Sequence, residues 1–220
     1  MPRLIVFDVD STLLRVETLD FLIERALGQA DGEAADALHA ITAQGMAGEM
    51  DFRKSLEARL SITTLSEALI AEAAQAIAGE ATPGIKGVLD RLRAREHEVY
   101  AVSGGFMELI QPALEALGFA PGEIRANRFV VEGGQVAGFD RNNPLSRSGG
   151  KGPVVGSLKA QTGCDLAIIV GDGITDYEAF AGGGADAFIG FGGVTRREAV
   201  AAKAPAYADD VKALEKLLLG

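Results

Sequence analysis

The chain has 220 residues, nearly half of them apolar, no Trp, and a formal net charge of −10. That length accommodates one α/β domain of ordinary size plus a small accessory domain, and the acidic balance excludes non-specific nucleic-acid binding, which relies on clustered Lys and Arg. An anionic ligand would be repelled at long range, so any phosphate site must be made locally positive by a metal, a few basic side chains and backbone amides.

Cys164 is the only cysteine, which rules out an intrachain disulfide and a Cys-based zinc cage. The opening Met-Pro-Arg-Leu-Ile-Val-Phe-Asp holds too short an apolar run for a signal peptide. No later stretch reaches the roughly 18 apolar residues of a membrane helix. The expected setting is a reducing cytoplasm, with no membrane and no nucleic acid as partner.

Leu4 to Phe7 is wholly apolar and stops at Asp8-Val9-Asp10-Ser11-Thr12, the form of a buried strand followed by a polar turn. Helices alone are predicted next: Thr18 to Leu27, Glu33 to Ala43, Asp51 to Leu60 and Thr64 to Ala78, the last opening with Thr64 and Glu67 at capping-box spacing. Val99 to Val102 is a second strand, ending at Ser103-Gly104-Gly105. A helix from Phe106 to Leu117 follows, with Gly118 as C-cap and a kink or false start expected at Pro112. Phe129 to Phe139 alternates around Gly133-Gly134 and reads as a β-hairpin. Leu166 to Val170 ends at Gly171-Asp172-Gly173, Ala187 to Phe191 runs into Gly192-Gly193, and a last helix lies near Asp209 to Leu218. Strands alternating with helices imply a doubly wound, mostly parallel α/β sheet. The helical block after the first strand reads as an inserted cap, giving a core of residues 1–14 and 79–220 and a cap of residues 15–78.

Ligands of open α/β sheets bind outside the carboxyl ends of the strands. Asp8, Asp10, Asp172 and Asp176 follow two different strands, and four acids in one crevice repel each other unless a cation sits among them. A hard divalent ion, magnesium above all, suits them. Taken alone, Asp8 and Asp10 equally suit helix capping. Ser103-Gly104-Gly105 offers amides and a helix N-terminus to an anion, though such a turn is commonly only a turn. Lys151, in Ser148-Gly-Gly-Lys-Gly-Pro153, can reach a phosphate as a point charge, although a single Lys is more often merely solvated. Together these residues supply nucleophile, acid/base, phosphate donors and metal ligands on successive strand ends.

In this order the motifs resemble the haloacid dehalogenase-like superfamily, and within it the phosphoserine phosphatases. Asp-Val-Asp-Ser-Thr-Leu13 is similar to the first motif, Val-Ser-Gly-Gly-Phe106 to the second, Ser-Gly-Gly-Lys-Gly152 to the third and Gly-Asp-Gly-Ile-Thr-Asp176 to the fourth. The likeness spans nearly the whole chain. It implies that Asp8 attacks phosphorus to give an aspartyl-phosphate and that Asp10 protonates the departing oxygen and then activates water. It further implies that Asp8, Asp172 and the backbone of Asp10 hold Mg2+ with Asp176 beside them, and that Ser103, Gly104, Gly105 and Lys151 bind the phosphoryl group. By position, Glu17 matches the residue that binds a substrate ammonium group and Arg59 the one that pairs with its carboxylate. Met46 and Phe52 match apolar cap residues over the site. Thr175 stands where many members carry Asn. The implied substrate is phosphoserine. A phosphotransferase or a phosphatase for another small monoester shares the same residues, and a phospho-receiver module also uses clustered acids, magnesium and a Lys.

Overall fold

A computed structural model describes residues 1–28 and 32–220. The first strand, β1 (Leu4–Phe7), is buried on every residue, as an apolar run with no polar alternation must be. It pairs in parallel with β2 (Glu98–Phe106) on one side and β6 (Ala167–Gly171) on the other. With β3 (Ile124–Asn127), β7 (Ala187–Phe191) and β8 (Ala206–Ala208) they form one six-stranded parallel sheet in the order β3-β2-β1-β6-β7-β8. The strand order reverses its direction of growth between β1 and β6, and a crevice opens at such a switch point.

Both faces are covered. Ile5 and Phe7 join a core with α5 (Ile85–Ala94), α6 (Met107–Ala116) and α10 (Val211–Leu219). Leu4 and Val6 face the opposite way, into a core with α7 (Lys151–Thr162) and α8 (Ile174–Ala181). The doubly wound reading therefore holds.

Between β1 and α5 the described elements are helical: α1 (Thr18–Leu27), α2 (Gly32–Ala47), α3 (Phe52–Leu60) and α4 (Glu67–Ile77). The chain leaves and returns along one short ladder. Leu14 bridges Ala81, Arg15 N–H donates to Glu80 O at 2.8 Å, and Thr82 N–H donates to Leu13 O at 2.9 Å. The strands β4 (Phe129–Glu132) and β5 (Gln135–Phe139) form the predicted hairpin. Its two turn residues, Gly133 and Gly134, have φ of 58° and 79°, the left-handed pair that a two-residue hairpin turn demands. Phe129 stacks on Phe106 at the end of β2, with ring centroids 3.8 Å apart.

Three sequence expectations are corrected. The N-cap of α4 is Ser66, which accepts the N–H of Leu69 at 3.2 Å, so Thr64 and Glu67 form no capping box. Such a cap contributes about 1 kcal/mol. Ser103-Gly104-Gly105 lies inside β2, not in a turn beyond it. Helix α6 starts at Met107 and continues through Pro112, so the proline marks no false start. The ring forgoes the bond to the Glu108 carbonyl, while Leu109, Ile110, Ala113 and Leu114 are anchored in the core around it. No helix among the described residues is long and apolar enough to cross a membrane.

Candidate active site

After β1 the backbone makes one wide, fully buried turn over Val9–Leu13. Ser11 occupies the left-handed region there (φ 51°), an uncommon conformation for a residue with a side chain, and its hydroxyl donates to Glu17 Oε1 at 2.9 Å. Asp8 precedes this turn and caps nothing. Lys151, the first residue of α7, places Nζ 2.7 Å from Asp8 Oδ1 and 2.6 Å from Asp176 Oδ1. No hydrogen bond among the described residues occupies the other oxygen of Asp8. Asp176 is held twice, because its Oδ2 accepts the Gly173 N–H at 3.1 Å. Gly171, at the end of β6, makes room for it: a Cβ there would collide with the Asp176 carboxyl group. Capping thus explains part of Asp176 and none of Asp8.

Asp172 follows β6. Its Oδ2 accepts Arg197 Nε at 2.6 Å, and the same guanidinium donates through Nη2 to Glu17 Oε1 at 2.8 Å. Arg197 reaches in from the segment between β7 and α9 (Glu198–Ala201). Asp10 accepts the backbone N–H of Thr18 at 3.1 Å, which ties it to the start of α1. Arg59, only 4% exposed, donates Nη1 to Asp20 Oδ1 at 3.2 Å and Nε to Ser55 O at 3.4 Å.

A single pocket brings together Asp8, Asp10, Met46, Phe52, Arg59, Ser103, Gly104, Gly105, Lys151 and Thr175, with Leu19 and Leu56 completing its wall. Every one of these residues except Leu19 and Leu56 was singled out in the sequence. Glu17 does not line it, being turned toward Ser11 and Arg197. Asp172 and Asp176, both buried, do not line it either. Arg197, Asp20 and Thr18 were missed. For Arg197 a signal existed: the Gly192-Gly193 turn ends a strand on the same sheet edge, and the basic residues just beyond it are placed to meet acids there.

Burial, then Glu17 and Asp8, push the Asp10 carboxyl up to about 8. Burial and Asp8 push Asp176 up to about 7 against the pull of Lys151. Asp172 is raised by burial against Arg197, and Glu17 likewise. Burial alone would lower Lys151, but Asp176 and Asp8 outweigh it and hold the ammonium charged. The site therefore carries more acid than its bases neutralise. One oxygen each from Asp8, Asp172 and Asp176 lies within 4.8 Å of the others. An all-oxygen, buried, anionic donor set fits a hard divalent cation.

The family model of haloacid dehalogenase-like hydrolases matches residues 5–181. This chain is a haloacid dehalogenase-like hydrolase. Relatives of the hydrolase include the chloroplastic phosphoserine phosphatase of Arabidopsis thaliana, 39% identical over 91% of this chain and 66% of that protein. The phosphoserine phosphatase of Rattus norvegicus is 35% identical over 94% of this chain and 88% of its own length. Among solved structures, a phospho-aspartyl intermediate analogue of phosphoserine phosphatase superposes with a TM-score of 0.82 at 27% identity, covering 98% of both chains.

Proposed function

We propose that the hydrolase is a Mg2+-dependent phosphatase that converts O-phospho-L-serine to L-serine and phosphate through an aspartyl-phosphate on Asp8. The observation that carries the reading is Asp8 itself: Lys151 holds one oxygen at 2.7 Å, and the other is left for attack beside Ser103 and Gly104. Asp8 attacks phosphorus as the bond to the serine oxygen breaks, and Asp10 delivers a proton to that oxygen. Asp10 then takes a proton from water, which attacks the phosphorus of the intermediate, freeing phosphate and restoring Asp8. Lys151, Ser103 and the Gly104 amide bind the phosphoryl oxygens throughout.

Asp8 and Asp172 with the Asp10 carbonyl would hold Mg2+, and Asp176, occupied by Lys151 and the Gly173 amide, would support them from behind. The ion supplies positive charge against the transferring phosphoryl group. Arg59 keeps Nη2 without a partner among the described residues, available to a substrate carboxylate. Glu17 is the counterpart for the ammonium group, with Oε1 already shared by Ser11 and Arg197. Residues 15–78 act as the cap that brings Met46, Phe52 and Arg59 over the site. One buried free cysteine, Cys164, suits a reducing compartment such as the cytoplasm.

The test is phosphate release from a panel of monoesters with and without Mg2+. Phosphoserine should be preferred, Asp8→Asn should abolish release, and Arg59→Ala should lower kcat/KM for phosphoserine ~100-fold while sparing esters that lack a carboxylate. Release that survives Asp8→Asn would sink the mechanism.

A further inference from the structure

Thr18 is the first residue of α1 and is completely buried. Its N–H holds Asp10 Oδ1 at 3.1 Å, yet its hydroxyl completes no hydrogen bond. A buried hydroxyl left unpaired is costly, and Val would fill the same volume without that cost. The hydroxyl also points toward the chemistry. A Cβ built on Gly105 would lie 3.0 Å from Asp10 Oδ2, 3.0 Å from Ser103 Oγ and 3.2 Å from Thr18 Oγ1, so these three oxygens converge on the bare face of one glycine. Ser103 Oγ is itself committed there, accepting the Gly105 N–H at 2.8 Å.

We propose that Thr18 is the positioning residue of Asp10: its amide fixes Oδ1, leaving Oδ2 above Gly105 to carry the proton, and its hydroxyl is a donor held for the carboxylate that proton transfer leaves behind. The proposal rests on Asp10 as the acid. The proton on Oδ2 moves to the ester oxygen as the P–O bond breaks, Asp10 becomes a carboxylate, and the Thr18 hydroxyl donates to it. When water later returns a proton to Asp10, that donor is released. A β-branched side chain suits the task, because few χ1 rotamers keep the hydroxyl on this side of the helix. The amide belongs to α1, so the orientation of the acid is tied to the helix that begins the proposed cap.

Leaving-group dependence separates this role from packing. A serine alkoxide departs poorly without a proton, whereas p-nitrophenolate departs without one, and kcat/KM reports the steps up to that departure. Thr18→Val keeps the shape and the amide and removes the hydroxyl. It should lower kcat/KM for phosphoserine ~10-fold and change kcat/KM for p-nitrophenyl phosphate less than about twofold, with Thr18→Ser restoring the alkyl ester. An equal fall for both esters, or no fall for phosphoserine, overturns the proposal. Asp10→Asn is the control for the underlying reading: if it too affects both esters equally, Asp10 is not the acid and the proposal falls with it. A wild-type enzyme that prefers another alkyl phosphate would refute the substrate assignment and leave the alkyl-to-aryl comparison intact on that ester.

Discussion

Asp10 near 8 and Asp176 near 7 describe the site with no cation present, and their direction fixes how the metal-free protein responds to pH. Both carboxyls ordinarily titrate near 3.8, so between about pH 4 and 8 the folded state binds more protons than the unfolded chain. Stability therefore falls as pH rises through that window. Lys151 adds no slope there, because a group raised above an ordinary value of 10.5 stays protonated in both states. In EDTA the Tm should decline from pH 5 to 8, and saturating Mg2+ should flatten the decline by taking over the neutralisation that protons provide. A Tm in EDTA that is constant or rises over this range would contradict the charge arrangement. The acids of this network were legible because each follows an apolar run that can only be a buried strand. Thr18 and Asp20 were not, since on sequence alone both belong to an amphipathic helix and nothing marks the partner each will meet.

At the scale of elements, the site depends on α3 resting against β2. Phe52 N–H donates to Ser148 Oγ at 3.1 Å, and Arg53 donates to Arg141 O at 2.9 Å and Ser146 O at 3.3 Å, so α3 is fastened to the loop that leads into Lys151. On the other side the Phe52 ring lies on Gly104, where a Cβ would collide with it. Gly104 thus serves close packing as well as access of its amide to phosphate. Gly104→Ala should displace Phe52 and lower kcat/KM at least ~10-fold. If that displacement is the cause, Gly104→Ala with Phe52→Ala should perform like Phe52→Ala alone, because the collision no longer exists. Two losses that multiply would show that Gly104 acts only through its own backbone. The helices α1 to α4 were readable from their apolar spacing and polar flanks. The register of α3 on β2 was not, because it is set by loop carbonyls and by one ring over one glycine, neither of which leaves a periodic trace.

For the whole molecule, the parallel core was legible in β1, β2, β6 and β7, whose apolar runs fit only the interior of a sheet covered on both faces. The edge strands were not: β3 reads Ile-Arg-Ala-Asn and β8 reads Ala-Tyr-Ala, short and only partly apolar, and they become strands by pairing with neighbours already in place. The net charge of −10 was equally plain, and it makes a demand on the completed site. Asp8, Asp10, Glu17, Asp20, Asp172 and Asp176 gather around Lys151, Arg59 and Arg197, so without a cation the pocket repeats the sign of the whole chain once these carboxyls have lost their protons. An anionic ester and its phosphate product should then bind as partners of the metal. Linkage makes the effect mutual: if Mg2+ raises the affinity for inorganic phosphate by some factor, phosphate raises the affinity for Mg2+ by the same factor. Calorimetric titration of phosphate with and without Mg2+, and of Mg2+ with and without phosphate, should give equal factors of at least ~10. Phosphate that binds the metal-free protein as tightly as the loaded one would mean that Lys151, Arg59 and the backbone amides overcome the acids unaided, and that the cation is not needed to admit the substrate.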